Sequence, residues 1–193
     1  MNAALGSRLA ACTVLAAISA AAWAEVVSND LDQRYSISGT SEAGLRREMS
    51  AKGPLGADGR RYDAYTLWHI SWRYNYRQDG ALCRIGSVTT KVEVTMTLPR
   101  WGGESAAQDG LRARWREYFA ALTEHENGHR VHGRDAAHEI DAAIAGLPGQ
   151  SNCAALGNAA NSLGNQIIHK YNERDLDYDR RTDHGRTQGA RFP

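Results

Sequence analysis

The stretch Leu122-Thr123-Glu124-His125-Glu126-Asn127-Gly128-His129-Arg130-Val131-His132 contains the pattern His-Glu-x-x-His. Residues four positions apart on an α-helix lie on nearly the same side, so His125 and His129 can bind one zinc ion. Glu126 is turned by about 100° around the helix axis. It can therefore take a proton from water at the metal instead of binding the metal. The pattern predicts a zinc site with Glu126 as the general base.

The sequence on both sides of this motif has the apolar spacing of a helix. We expect one long helix from about Ser105 to Ala145, ended by Gly146-Leu147-Pro148-Gly149. The two motif histidines fall on its apolar face, where unpaired polar groups would be costly, and one metal ion would satisfy both. The alternative is two hydrogen-bonded core histidines with a Glu between them by chance. The apolar face consists of Leu111, Trp115, Tyr118, Phe119, Leu122, Ala136, Ile140, Ala143 and Ile144.

Residues 1–24 have the pattern of a secretory signal peptide. Arg8 precedes an apolar run over residues 9–22, and Ala22-Trp23-Ala24 is a small-x-small cleavage site. The run is too short and too rich in alanine for a good membrane span, although an uncleaved anchor is the alternative. We expect cleavage after Ala24, a periplasmic or secreted protein, and no stable membrane insertion.

Export changes how the three cysteines are interpreted. Cys12 leaves with the signal peptide, so Cys83 and Cys153 remain in an oxidising compartment. We predict that they form a disulfide that ties the sheet to the C-terminal helix. The alternative is two unpaired buried thiols.

Length and charge narrow the class of protein further. Removal of 24 of the 193 residues leaves 169, enough for one domain with a core, which we place at residues 25–193. Loss of Arg8 leaves 22 basic and 22 acidic residues. This balance argues against nucleic acid as a partner. We expect a monomer that acts on a peptide or protein substrate.

Alternating and helical patterns predict an α+β fold. A first strand is expected at residues 33–39, a short helix from Glu42 to Lys52, and a third helix capped by Ser151 or Asn152. Two long strands joined near Gln78-Asp79-Gly80 predict an antiparallel hairpin. A small antiparallel sheet should therefore pack on the motif helix and the C-terminal helix, as in zincins. One face of the first hairpin strand carries Tyr62, Ala64, Thr66, Trp68, Ile70, Trp72, Tyr74 and Tyr76.

That aromatic face has two interpretations. It can be core covered by the helices, which we favour, or a platform for binding a partner. The segment after the third helix, residues 179–193, has no periodicity and is expected to form a tail that can fold back.

A catalytic zinc usually has three protein ligands, and spacing leaves the third one open. His132 is on the right face but lies about 10 Å along the axis from His125, so the two cannot bind one ion on an unbroken helix. We expect His132 to be a polar neighbour of the site or a partner of a ligand. Asp135 would require the helix to break. Glu173 on the next helix and His184 on the tail rank about equally.

Several segments together resemble a bacterial family of uncharacterised exported proteins described as predicted secreted Zn-dependent proteases. The resemblance implies a zincin-like site and favours His184 over Glu173 as the third ligand. It covers nearly the whole mature chain. The matching segments are Thr66-x-Trp68-x-Ile70-x-Trp72, Leu98-Pro99-Arg100-Trp101, His125-Glu126-x-Gly128-His129, Tyr178-Asp179-x-x-Thr182-x-His184-Gly185 and Thr187-Gln188-Gly189-Ala190.

The expected function is zinc-dependent hydrolysis of peptide bonds. Zn²⁺ would be held by His125, His129 and His184, with Glu126 as general base and Tyr178 or His132 assisting at the oxyanion. The substrate would lie as an extra strand along a sheet edge. Two alternatives stay open: a non-catalytic envelope protein that binds a partner through the aromatic face, and an amidase that acts on cell-wall peptides.

Overall fold

The computed structural model describes residues 23–193, which form a three-stranded sheet and three α-helices, and it confirms the predicted α+β class. Residues 1–22, most of the predicted signal peptide, lie outside the described residues. The elements are β1 (Trp23–Ile37), α1 (Glu42–Lys52), β2 (Tyr65–Asp79), β3 (Leu82–Trp101), α2 (Asp109–Ala145) and α3 (Cys153–Thr182), with short 3-10 turns at Glu104–Ala106 and Arg186–Gln188.

The sheet has the order β1-β3-β2 and is mixed. Strands β2 and β3 form the predicted antiparallel hairpin, with Gly80 in the turn at a φ of 60°. Strand β1 instead runs parallel to β3, from Trp23 opposite Ser87 to Ile37 opposite Trp101. The antiparallel arrangement that we predicted therefore holds for the hairpin and not for β1. Most β1 side chains are exposed at a sheet edge, so the strand shows little hydrophobic alternation and begins ten residues before the predicted start.

The helices cover one face of the sheet, and Trp68, Trp72 and Tyr74 of β2 are partly buried beneath them. Trp72 donates its indole N–H to Asn161 Oδ1 at 3.1 Å, and the Tyr74 hydroxyl donates to the carbonyl of Gly157 at 3.2 Å. Gly164 faces the Trp72 ring closely enough that a Cβ would lie 2.6 Å from it. The aromatic face is therefore packed against α3 and does not present a free binding platform.

Helix α2 is one continuous helix that crosses the sheet. Gly128 and Gly133 lie inside it without breaking it. Gly133 allows β2 to approach closely, because a Cβ there would lie 2.6 Å from Trp68 Cγ. The buried residues of α2 are Trp115, Tyr118, Leu122, His125, Glu126, His129, His132, Gly133, Ala136, Ala137, Ile140, Asp141 and Ile144.

Helix α3 begins beside the hairpin and lies along α2. Asn152 caps it by accepting a hydrogen bond from the Ala155 N–H at 2.7 Å. The predicted disulfide between Cys83 and Cys153 is present and joins β3 to the first residue of α3. The helix continues to Thr182, so Asp179 belongs to α3 and not to the tail.

The last eleven residues, 183–193, turn back across α2. The turn places Asp183, His184 and Gly185 in the left-handed region, with φ values of 49°, 51° and 81°. The segment ends with Ala190 and Phe192 buried in the core. Within residues 23–193, no helix is both long enough and apolar enough to cross a bilayer.

Candidate metal centre

Three polar atoms from two helices converge in the gap between α2 and α3. Nε2 of His125 lies 3.3 Å from Nε2 of His129, and Oδ1 of Asp179 lies 3.1 Å from each of these nitrogens. The two histidines are buried and Asp179 is half-buried. These are the donor atoms of a group that could hold a metal ion.

The spacing of these atoms fits a tetrahedral metal ion. Ligand atoms bound at about 2.0–2.2 Å to one tetrahedral zinc lie about 3.3–3.6 Å apart. The 3.1 and 3.3 Å separations among His125, His129 and Asp179 are close to that value. Two imidazoles and one carboxylate are also a donor set that zinc commonly takes at catalytic sites.

Each ligand histidine has its second ring nitrogen held by an acceptor. Nδ1 of His125 lies 2.9 Å from Oε1 of Gln188, and Nδ1 of His129 lies 3.0 Å from Oδ1 of Asp175. The carboxylate of Asp175 also accepts the indole N–H of Trp68 at 2.7 Å. These partners favour protonation at Nδ1 and direct the Nε2 lone pairs of both rings at the candidate site.

The charges at the site are strongly coupled. Burial lowers the pKa of His129, but its hydrogen bonds to Asp175 and Asp179 outweigh this effect and raise the pKa to about 10. Burial raises the pKa of Asp179, but its hydrogen bonds to His125 and His129 bring it well below the ordinary value. The metal-free site therefore holds a proton on His129 beside the ionised carboxylate of Asp179, and a bound cation would replace that proton.

Glu126 lies beside this group with its side chain against the sheet. It is buried, and Thr66 on β2 donates its hydroxyl to Oε2 at 2.7 Å. Among residues 23–193, Thr66 is the only hydrogen-bond partner of the carboxylate. Burial raises the pKa of Glu126, and the Thr66 hydrogen bond and the nearby imidazoles oppose that rise. A carboxylate of raised pKa beside a metal site is suited to accepting a proton.

The structure places His132 and Tyr178 around the ligands and away from the cleft lining. Nδ1 of His132 lies 2.6 Å from Oδ1 of Asp175, so His129 and His132 share this carboxylate. The Tyr178 ring stacks on the His125 ring, with centroids 4.9 Å apart and an interplanar angle of 14°. Its hydroxyl lies 3.1 Å from Nε2 of Gln188. The role predicted for Tyr178 at the oxyanion stays a prediction, since this position supports packing behind His125.

The predicted third ligand, His184, is near the site but outside the converging group. Its Nδ1 lies 3.5 Å from Oδ1 of Asp179, its ring lies 5.5 Å from that of Tyr62, and its side chain is 52% exposed. The two alternatives are both remote from the group. Glu173 pairs with His169 at 3.6 Å, and Asp135 pairs with Arg174 at 3.8 Å. Asp179 thus supplies the third donor atom of the converging group, a role for which the sequence suggested His184, Glu173 or Asp135.

The candidate ligands lie at the floor of a cleft of about 1170 Å³. One wall is the loop before β2 together with Tyr65–Trp68, and the other is the end of α3 with the returning tail. Leu67 and Leu176 line the cleft from opposite walls and are largely exposed. The cleft contains His125, Glu126, His129, Asp179 and His184 among its lining residues.

A partly buried ion pair fixes the loop that forms the first wall. Asp63 makes a bidentate ion pair with Arg46 of α1, and the Tyr118 hydroxyl of α2 donates to Asp63 Oδ2 at 2.6 Å. The Tyr35 hydroxyl of β1 donates to the Asp63 carbonyl at 2.7 Å. Helices α1 and α2 and strand β1 therefore all bind Asp63, which fixes this wall of the cleft.

Sequence reasoning missed Asp175 and Gln188 as orienting residues, and it did not name Asp179 as a candidate ligand. A signal for the two aspartates exists, since Asp175 and Asp179 are four residues apart, like His125 and His129. Two such pairs on antiparallel neighbouring helices can face each other. The predicted tail began at Asp179, whereas the structure includes this residue in α3.

Comparison with known proteins gives a family and no function. Residues 32–185 match the family described as "Bacterial protein of unknown function (DUF922)". No curated protein and no solved structure matches the chain. The matched segment spans both helices of the candidate site and most of the sheet. The chain therefore belongs to the DUF922 family of bacterial proteins of unknown function.

Proposed function

We propose that this protein is an exported zinc-dependent hydrolase that cleaves peptide bonds. The observation that supports this best is the convergence of His125 Nε2, His129 Nε2 and Asp179 Oδ1 within 3.1–3.3 Å of one another. The buried carboxylate of Glu126 follows His125 directly in the same cleft. Ligands and a proton acceptor beside an open cleft are the minimum that a hydrolytic metal site needs.

Each residue of the site has a separate role in the proposed reaction. A bound zinc ion would lower the pKa of a water molecule and polarise the carbonyl of the scissile bond. Glu126 takes the proton that the attacking water loses and returns it to the leaving amine nitrogen. Thr66 holds one carboxylate oxygen of Glu126, which fixes the direction in which the other oxygen points. Asp175 and Gln188 keep the imidazoles in the orientation that ligation requires.

The sheet edge beside the cleft suits an extended peptide. In the order β1-β3-β2, the outer edge of β2 has no partner strand among residues 23–193. Tyr65–Trp68 of that edge line the cleft that also contains Glu126. A peptide that adds to this edge as a strand would pass the candidate ligands, with backbone hydrogen bonds supplying affinity.

Two further observations bear on where the protein acts and what it does. The disulfide between Cys83 and Cys153 is typical of an oxidising compartment, in keeping with export. Trp72 and Tyr74 on the aromatic face of β2 pack against α3, which leaves less of that face free for the non-catalytic partner-binding alternative. Peptide-bond hydrolysis outside the cytoplasm is the function that fits both.

The test compares Glu126→Gln with Glu124→Gln, an exposed glutamate two residues earlier on the same helix. Each purified protein is loaded with zinc, its metal content is measured, and it is incubated with a peptide library and with cell-wall fragments. We expect Glu126→Gln to bind zinc but lose about 10²–10⁴-fold in rate. Glu124→Gln should keep wild-type rate.

Four results would count against the proposal in different ways. Folded wild-type protein that binds no zinc would remove the metal site. Zinc-loaded wild type that cleaves neither substrate class, or a Glu126→Gln variant as active as wild type, would remove the catalytic role. Cleavage of cell-wall fragments alone would make the enzyme an amidase of cell-wall peptides.

A further inference from the structure

The C-terminal segment supplies a direct contact to one candidate ligand. Oε1 of Gln188 lies 2.9 Å from Nδ1 of His125, and Nε2 of Gln188 donates to the Tyr178 hydroxyl at 3.1 Å. The Tyr178 hydroxyl also donates to Oε1 of Gln188 at 3.4 Å, and Oε1 is the amide atom that faces His125. Gln188 therefore accepts the Nδ1–H of the imidazole, and the Nε2 lone pair faces His129 and Asp179.

The backbone of the same segment lies against the His125 ring. A Cβ on Gly185 would come within 2.9 Å of His125 Cγ, so only a glycine allows this approach. Gly185 has a φ of 81°, and its carbonyl accepts the N–H groups of Gln188 at 2.9 Å and Ala190 at 3.0 Å. This compact turn fixes the position of the Gln188 side chain relative to His125.

The end of the segment is anchored away from the metal ligands. Phe192 is buried, and its ring centroid lies 5.0 Å from that of Tyr118 and 5.8 Å from that of Trp115. Both partners belong to α2, the helix that carries His125. The segment is thus held at Phe192 by the core and at Gln188 by the candidate metal centre.

We propose that Gln188 is a positioning residue for His125, and that docking of residues 185–193 and binding of the metal ion are therefore coupled. Metal binding favours the His125 orientation that Gln188 supports, and the docked segment favours the same orientation. By linkage, each event strengthens the other. The inference rests on the metal site of the proposed function and extends it to the C-terminus.

The first experiment measures zinc affinity by competition with a chromophoric chelator. Gln188→Leu removes the acceptor at similar size, Gln188→Glu keeps an acceptor, and Gln166→Leu makes the same change on the exposed face of α3. We expect Gln188→Leu to lose about 10- to 100-fold in affinity. Gln188→Glu should restore affinity close to wild type, and Gln166→Leu should leave it unchanged.

The second readout follows the imidazole itself. In zinc-loaded protein labelled with ¹⁵N-histidine, NMR reports which nitrogen of His125 carries the proton. We expect a protected Nδ1–H in wild type and in Gln188→Glu, and a rapidly exchanging one in Gln188→Leu. A residue that only stabilised the fold would not change this proton while leaving the chain folded.

The third readout tests the coupling from the other direction. Trypsin can cut the segment after Arg186 and Arg191, whose side chains are exposed. Zinc should slow both cuts several-fold in the wild-type chain and much less in Gln188→Leu. Circular dichroism of the metal-free proteins checks that every variant is folded.

The outcomes separate this inference from the proposed function. Wild-type affinity and unchanged zinc protection in Gln188→Leu would overturn the role of Gln188 while the metal site stands. Failure of Gln188→Glu to restore affinity would also contradict it, since the acceptor is retained. Wild-type protein without zinc binding would overturn the proposed function and this inference together.

Discussion

Nε2 of His125 and Nε2 of His129 lie 3.3 Å apart, close to the separation of two nitrogens on one tetrahedral metal ion. Helix α2 sets this distance by itself, because the two residues are one helical turn apart. The third atom of the group, Oδ1 of Asp179, comes from α3. The site is therefore complete only when the two helices pack, and predictions about it test the packing as well as the ligands.

Asp179→Asn should lose most of the zinc affinity of the protein. The substitution keeps the size of the side chain but replaces an anionic donor with a neutral amide, which is a poor zinc ligand. It also removes the charge that pairs with both imidazoles. Titration with zinc against a competing chelator measures the loss. Loss of a residue that only orients a ligand lowers metal affinity by about 10- to 100-fold, so we expect loss of a ligand to lower it by at least about 100-fold.

Matched variants of the other candidates complete that experiment. Glu173→Gln should leave zinc affinity unchanged, because this exposed side chain pairs with His169 and lies outside the converging group. His184→Asn should have a smaller effect than Asp179→Asn, since His184 lies 3.5 Å from Asp179 and outside the group. A larger loss in His184→Asn than in Asp179→Asn would return the third-ligand role to His184.

Zinc affinity should rise with pH. The pKa of His129 in the metal-free protein is raised to about 10 by Asp175 and Asp179 against the opposing effect of burial. Zinc must displace this proton, so affinity should increase about tenfold for each pH unit between pH 6 and 9. Isothermal titration in two buffers of different ionisation enthalpy should detect about one released proton. An affinity for zinc that does not change with pH would contradict the displacement of a proton from His129.

The same groups predict how the stability of the metal-free protein depends on pH. His129 has a raised pKa in the folded state, so its contribution is full below its unfolded pKa of 6.5 and is lost as pH rises toward about 10. The depressed pKa values of Asp175 and Asp179 act in the opposite sense and add stability above about pH 4. Urea midpoints in chelator should therefore fall between pH 6.5 and 9, and zinc should flatten this slope.

Gly128→Ala should destabilise the protein and weaken zinc binding. A Cβ at this position would lie 2.5 Å from the Tyr178 hydroxyl, and Tyr178 stacks on His125. Overpacking of this kind costs about 1–3 kcal/mol. Thermal melts of the metal-free protein and zinc titration measure the two effects.

Gly110→Ala is the matched control in the same helix. The nearest atom outside the local backbone would be Arg114 Nη1 at 3.8 Å, so a methyl group fits. Alanine should be neutral or stabilise by up to about 1 kcal/mol through helix propensity. Equal effects of the two substitutions would mean that Tyr178 does not pack over Gly128 as described.

Loss of the disulfide should lower stability without removing the metal site. The bond between Cys83 and Cys153 closes a separation of 70 residues. In the chain-entropy model such a loop contributes about 4 kcal/mol. The Cys83→Ser, Cys153→Ser double variant should have a lower urea midpoint, and a reductant should shift wild type but not the variant. Two reactive thiols in denatured, non-reduced mature protein would refute the pairing.

Local signals predicted several elements closely. Helix α1 spans Glu42–Lys52 as expected, because Ser41 caps its start and Gly53 follows its end. The hairpin and the disulfide were also expected from short-range patterns and from the cysteine count. Strand β1 was predicted too short because an exposed edge strand needs no apolar alternation.

The end of α3 was less predictable for a physical reason. Over its last two turns, the face toward α2 carries Asp175 and Asp179, which meet imidazoles instead of apolar side chains. The apolar periodicity that marks a helix therefore disappears where the candidate site lies. Local patterns most often fail at such sites, since polar residues there serve the site and not the core.

The sequence alone determined the pair of histidines and the glutamate between them, because helical geometry depends only on local spacing. It also determined the export pattern and the two cysteines left to pair. Only the tertiary structure decided the third partner of the group, Asp179, and the acceptors Asp175 and Gln188. These contacts join residues 46 to 63 positions apart, and only the packing of α3 and the tail on α2 brings them within hydrogen-bond distance.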